Sequence, residues 1–306
     1  MFPAQQSLPT AGMYMVYCRD LGRGAIGRWK LREGVEPVSP GAVSGPVQAL
    51  RFLVTAKTQP IPSTKYRETV CTAGITEGGE WVRLYPVPFR YWEGPQQFGL
   101  YDWVEVPARK RPPGSDKRKE NWAPAGELRV LEQVGTQDKW AERKRLLLPR
   151  VAPSLEWLHE EYERDGTSLG IIRPAEVLDV VVEADDSDWT PRQQAALEQM
   201  ALDGSKPKAL EKPGHWFSYR FRCDGANCRG HCLQILDWGL YELYRTTKHR
   251  RDEGAAVEGT REKCWELVAS DKDPYFFVGK HSRYPGFMVI GMFYPPRDER
   301  IPLPLD

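Results

Sequence analysis

Between residues 49 and 134 the hydrophobic positions come in short runs that alternate with polar ones, the period of a half-buried strand. Residues 51–57 make one such run, and 69–75, rich in β-branched side chains, a second. The turn Glu77-Gly78-Gly79 leads into 80–85 and predicts a hairpin. Residues 100–108 place Leu100, Val104 and Val106 on one face, and 128–134 supply a fifth strand. Five short strands with no long helix between them predict a small antiparallel β-barrel of PUA-like or OB-like size.

The period then changes. Residues 137–148 read as a helix stopped by Pro149, and Ser154 caps a second helix with Trp157, Leu158 and Tyr162 along one side and Gly166 at its end. Strands at 169–172 and 177–183 lead to an acidic turn, and Thr190 caps a helix opened by Pro191, with Gly204 past its end. Residues 206–214 form a polar hinge. Beyond it, Phe217, Tyr219, Phe221 and Cys223 alternate with Ser218, Arg220 and Arg222, a strand with one apolar and one basic face. A strand at 233–236, helices at 240–249 and 260–269, and an apolar hairpin at 275–278 and 287–294 complete the chain. The first 46 residues are broken by nine glycines and prolines from Gly22 to Pro46 and read as a partly ordered extension. The expected fold class is α+β: extension 1–46, β-barrel 47–136, connector of helices and strands 137–205, and a C-terminal α+β domain 206–306 with a metal site.

Composition narrows the functions available. Lys and Arg total 43 against 42 acidic residues, so attraction to a polyanion has to come from local patches. No apolar run approaches the ~20 residues of a membrane span, and residues 1–21 lack a secretory pattern. Six cysteines are too few for a disulfide scaffold in a chain of 306 residues. Crowding of three of them into ten residues indicates metal binding in a reducing compartment, so the expected location is the cytoplasm with no membrane partner.

That crowded stretch, Cys223 to Cys232, spells C-x4-C-x2-H-C. Thiolate and imidazole are ligands that zinc prefers, and Gly225 and Gly230 let the backbone fold back so that they converge. Cys223, Cys228, His231 and Cys232 are the candidate ligands of a Zn2+ ion. Cys232 ranks last, because in an extended segment it points away from His231. Cys264, His249 and His281 are alternative fourth ligands. Asp237 and, on the next helix, Glu242 are the candidate catalytic carboxylates of a divalent-metal nuclease. Helix capping and a solvated face explain the same two residues without catalysis.

Two basic runs, Arg109-Lys110-Arg111 and Lys117-Arg118-Lys119, flank the Pro112-Pro113-Gly114 turn, with Trp92, Trp103 and Trp122 nearby in sequence. Cations for phosphate and rings for stacking are what a single-strand or modified-base reader uses. Arg220 and Arg222 add a basic strand face, and Arg143-Lys144-Arg145 a further patch. The string Gly22 to Gly27 spells G-x-G-x-x-G but opens no helix, and Gly166 to Gly170 spells G-x-S-x-G but runs from helix to strand, so neither carries its usual chemistry.

Lys57 to Ser63, Tyr66, Glu68, Cys71 to Gly74, Trp81 to Val87, Cys228 to His231 and Asp237-Trp238 together resemble an uncharacterised family of bacterial hypothetical proteins, over about residues 49–296. The resemblance implies no activity. The residues themselves point first to nucleic-acid binding, DNA or RNA, by a protein with a structural zinc site. A metal-dependent nuclease and a protein-interaction subunit are the alternatives.

Overall fold

A computed structural model describes residues 45–297, except 64–65, 113–115, 186, 199–208, 226–227 and 282–285. Residues 1–44 of the expected extension, the Gly22–Gly27 string and part of the 206–214 hinge lie outside the described residues.

Seven strands form the first sheet: β1 (Gln48–Lys57), β2 (Ile61–Ser63), β3 (Arg67–Ile75), β4 (Trp81–Val87), β5 (Asp102–Lys110), β6 (Asn121–Pro124) and β7 (Arg129–Gln133). Five of them close a ring in the order β1-β3-β4-β6-β5, with β5 returning to β1. β2 lies beside β3 and β7 beside β5. The barrel is mixed, not antiparallel, because β6 runs parallel to β4. Its fifth strand is β6 and not the 128–134 segment; four residues are too few to display an alternation. Leu50, Phe52, Val54, Leu84, Val104 and Val106 fill the ring.

The outer face of the ring is also buried. Leu53, Ala56, Ala73 and Ile75 pack against Leu169, Ile171, Phe277 and Ile290 of the second half of the chain. β1 is therefore covered on both faces from Phe52 onward. Gly74 permits this packing, since a Cβ there would stand 2.1 Å from the Leu53 carbonyl oxygen of the neighbouring strand.

The second half comprises α1 (Gln137–Leu147), β8 (Val151–Ala152), α2 (Leu155–Asp165), β9 (Leu169–Ile172), β10 (Glu176–Ala184), α3 (Pro191–Glu198), β11 (His215–Arg222), β12 (His231–Gln234), α4 (Trp238–Arg250), α5 (Glu253–Leu267), β13 (Tyr275–Lys280) and β14 (Phe287–Phe293). One sheet has the order β10-β11-β12 and the other β14-β13-β9-β8. The segment read as a connector thus shares both sheets with the C-terminal segment. Between them lies a core in which Tyr219 stacks on Phe276 at 4.8 Å and Phe221 meets it edge-on at 5.2 Å. Ser154 caps α2 by accepting from the Trp157 amide, and Gly166 ends the helix at φ 82°. Among the described residues no helix is long and apolar enough to cross a membrane.

Candidate metal centre and the adjoining cleft

The pairing of Phe221 with His231 brings the end of β11 to the start of β12, and the intervening loop folds back on itself. Inside it the Cys228 amide donates to the Gly225 carbonyl at 2.9 Å, and Gly230 turns the chain at φ 92°. Cys228 Sγ then lies 3.3 Å from His231 Nε2 and accepts from the Cys223 amide at 3.2 Å. The fourth group comes from α2, where Glu156 Oε1 stands 3.1 Å from His231 Nε2. One ligand atom each of Glu156, Cys223, Cys228 and His231 lies within 4.8 Å of all the others. A tetrahedral ion with bonds of ordinary length separates its donor atoms by roughly 3.3 to 3.8 Å, so small side-chain adjustments would close the shell.

Burial pushes the Cys223 thiol up to about 12, so a cation would have to displace its proton. Burial lowers His231, partly offset by Glu156, and leaves a neutral imidazole available for coordination. For Glu156, burial alone acts upward; hydrogen bonds and His231 carry the carboxyl below its usual range.

Three of the expected ligands converge. Cys232 does not join them, because the alternation of β12 sends it to the opposite face from His231. Cys264, His249 and His281 are also outside the group. His249 instead meets Glu211 at 2.7 Å. Glu156 carried no mark in the sequence; one carboxylate among 42 acidic residues becomes a candidate ligand only when α2 packs beside the hairpin.

Beyond Glu156, α2 forms one wall of a cleft of about 1090 Å³. Trp157, Leu158, Glu161 and Asp165 line it from α2, Trp81 and Lys110 from the barrel strands, and Arg111 and 116–120 from the segment after β5. Five of the eight expected nucleic-acid residues, Lys110, Arg111, Lys117, Arg118 and Lys119, border this space, joined by Arg150. The other three do not. Arg109 donates to the Gly45 carbonyl, Arg222 faces Glu176 at 3.8 Å, and the buried Arg220 Nε has no hydrogen-bond partner.

The cleft's charge is largely answered from within. Lys117 meets Glu163 at 2.6 Å, Lys119 meets Asp165, and Arg118 grips Asp116 through Nε at 2.9 and 3.0 Å. Arg111 and Arg150 donate to the Tyr85 and Gly79 carbonyls, each at 3.1 Å, Lys110 lies 5.2 Å from the Trp122 ring centroid, and the Glu80 carboxylate at the cleft's edge feels both Lys110 and Arg150. Trp81 and Trp157 are the cleft's aromatic rings, and the Trp157 residue is 39% exposed. Trp103 is buried, and Trp92 and Trp122 pack against the barrel core. In the further patch, Arg143 is engaged with the Val134 carbonyl at 2.9 and 2.7 Å.

Asp237 and Glu242 serve separate local roles. The Asp237 carboxylate caps α4, accepting from the Leu240 amide at 2.9 Å, while Glu242 binds Arg245 at 2.8 Å. Among the described residues no group of three or more possible metal ligands contains them, although both carboxylates act on the Lys57 ammonium. Burial raises Asp237 to about 6. Burial likewise lowers nearby Lys57 to about 8; its ammonium lies 3.5 Å from the Phe89 ring centroid and 5.0 Å from that of Trp238.

A folded-state value above the ordinary one means that Asp237 costs stability as pH rises from about 4 to about 6. Asn caps helices as well as Asp does. Asp237→Asn should therefore gain stability relative to wild type across that interval and level off above it. Urea unfolding of both proteins at several pH values checks this; a constant difference would show that Asp237 does not titrate there.

A family model for a domain of unknown function (DUF8757) matches residues 151–304. A second (DUF8758) matches residues 48–149. No curated protein matches the chain. Among solved structures, a tetrameric HIN2 is 5% identical, with 84% of this chain and 98% of that one covered and a TM-score of 0.27. A HINb domain is 8% identical over 82% and 97% of the two chains at 0.26. A replication protein A heterotrimer bound to ssDNA is 8% identical over 86% and 52% at 0.32. These scores are too low to establish a common fold.

Proposed function

The chain belongs to the DUF8757 family, and on that premise we propose that it is a nucleic-acid-binding protein that takes a single strand into the cleft beside α2. The observation that carries this reading is the joining, in one open space, of two indole rings with three cations that form no salt bridge among the described residues: Trp81, Trp157, Lys110, Arg111 and Arg150, with Glu80 acting on Lys110 and Arg150 only at longer range. Rings stack on bases of any sequence, and cations hold the phosphates between them. The small closed ring beside the cleft supports a PUA-like or OB-like reader. The four-ligand group supports zinc as a structural ion, since two sulfurs, an imidazole and a carboxylate leave no open position. Free cysteines among the described residues support a reducing, cytoplasmic setting. We place the unit boundary near residue 150, where the two family matches meet, because the segment before 206 shares its sheets with the segment after it.

The charge pairing makes the test quantitative. Lys110→Gln, Arg111→Gln and Arg150→Gln together should abolish most binding of a fluorescent single-stranded oligonucleotide. Log affinity of the wild type should fall against log salt with a slope of roughly 2 to 3, the value for three phosphate contacts. Lys117→Gln and Lys119→Gln should change the slope little, because each already faces a carboxylate. Asp237→Asn should leave binding intact. Absence of binding to DNA and RNA at low salt would sink the reading and favour a protein partner in the cleft.

A further inference from the structure

We propose that metal occupancy of the Glu156 group controls the cleft, by fixing the α2 wall that presents Trp157; the part concerning nucleic acid rests on the reading above. Cys223, Cys228 and His231 all belong to one hairpin, so an ion held by these three would join β11 only to β12. Glu156 is different. It lies in the first turn of α2, and its bond to the ion ties that helix to the hairpin.

The two ends of α2 are held in unlike ways. At its C-terminal end the Lys119 amide donates to the Gly166 carbonyl at 3.2 Å, Lys117 meets Glu163, and Lys119 meets Asp165. This end is fastened to the barrel segment across the cleft. At the other end Ser154 starts the helix but reaches only its own first turn. There the polar ties to the hairpin are the Leu155 backbone at the Cys223 sulfur and the Glu156 carboxylate, whose side chain is 36% exposed, and both end on the metal group. Trp157, the next residue, lines the cleft, as do Leu158, Glu161 and Asp165. A shift of the first turn moves the ring that a base would stack on. Carboxylate oxygen is also the hardest donor of the four and the least suited to a thiolate-rich ion, so it is the bond that yields first when the ion is lost or exchanged.

The test uses the full chain. Zinc and cobalt stoichiometry establish the ion, and cobalt loading should give the visible bands of a tetrahedral thiolate site. Zinc removal with 1,10-phenanthroline should speed amide exchange about tenfold or more both in 156–161 and in 223–234, and zinc should restore it. Binding of a single-stranded oligonucleotide should weaken by about tenfold in step, the size expected when support around a metal site is lost. Glu156→Ala should speed exchange in α2 while the hairpin stays protected at high zinc. Glu156→Cys, which supplies a softer ligand at the same place, should restore protection of α2. Unchanged exchange in 156–161 on zinc removal overturns the proposal, and so does a chain that holds no metal. If no oligonucleotide binds in either state, the nucleic-acid reading falls, while the exchange data still decide whether the ion holds α2.

Discussion

Cys228→Ser should empty the metal centre and loosen the second half of the chain together. The wild type is expected to hold about one zinc per chain and the variant less than a tenth of that, by elemental analysis of protein purified without chelator. A tightly held ligand at a thousandfold excess over its Kd contributes about 4 kcal/mol to stability, and a loss of that order is expected in urea unfolding. The loss should not be total, because the core around Tyr219 and Phe276 remains. Cys232→Ser supplies the contrast: it lies on the other face of β12 and should keep the zinc. If the two variants behave alike, the ligand set is wrong.

The second large effect is expected at the joint between barrel and second half. Arg83 of β4 is buried, and its Nη2 donates to the Ser168 carbonyl at 3.0 Å and to Ser168 Oγ at 2.9 Å. Glu120, also buried, accepts from the Ser168 amide and hydroxyl at 2.7 Å each and from the Leu169 amide at 3.3 Å. The charges offset one another through a serine that belongs to the second half. Burial lowers the Arg83 guanidinium from its usual value, which marks how much it depends on its neighbours. Glu120→Ala would strip two amides of their acceptor and leave Arg83 without its nearby counter-charge, at a cost of about 3–5 kcal/mol. Replacing both ends with apolar residues, Arg83→Met with Glu120→Leu, should recover much of that loss. A loss below about 1 kcal/mol for Glu120→Ala would show that this network does not hold the halves together.

Strand positions were legible wherever an alternation ran long enough. The strands read at 51–57, 69–75 and 100–108 correspond to β1, β3 and β5 with ends shifted by a few residues. β6 was not legible, and with it went the mixed direction of the barrel: its four residues carry no period, and only the neighbouring β4 and β5 give them a place. Spacing alone left Asp237 and Glu242 open as helix cap, solvated face or metal ligands; the fold adds that Asp237 caps α4 and that Glu242 meets Arg245. Basic residues could be located in the sequence, but their free charge could not be. Glu163 and Asp165, which neutralise Lys117 and Lys119, lie more than forty positions away.

The sequence by itself determined the local parts: the strand periods, the cap Ser154, and three candidate metal ligands held close by a glycine-bearing loop. Tertiary structure decided everything that depends on two distant segments meeting. It closed the barrel, buried both faces of β1, brought Glu156 to the hairpin and set α2 against the barrel to form a cleft. The reason is the range of the forces involved. Backbone sterics and capping act within a few residues and leave their record in consecutive letters, whereas packing and charge pairing act between surfaces, and no single stretch of chain contains both sides.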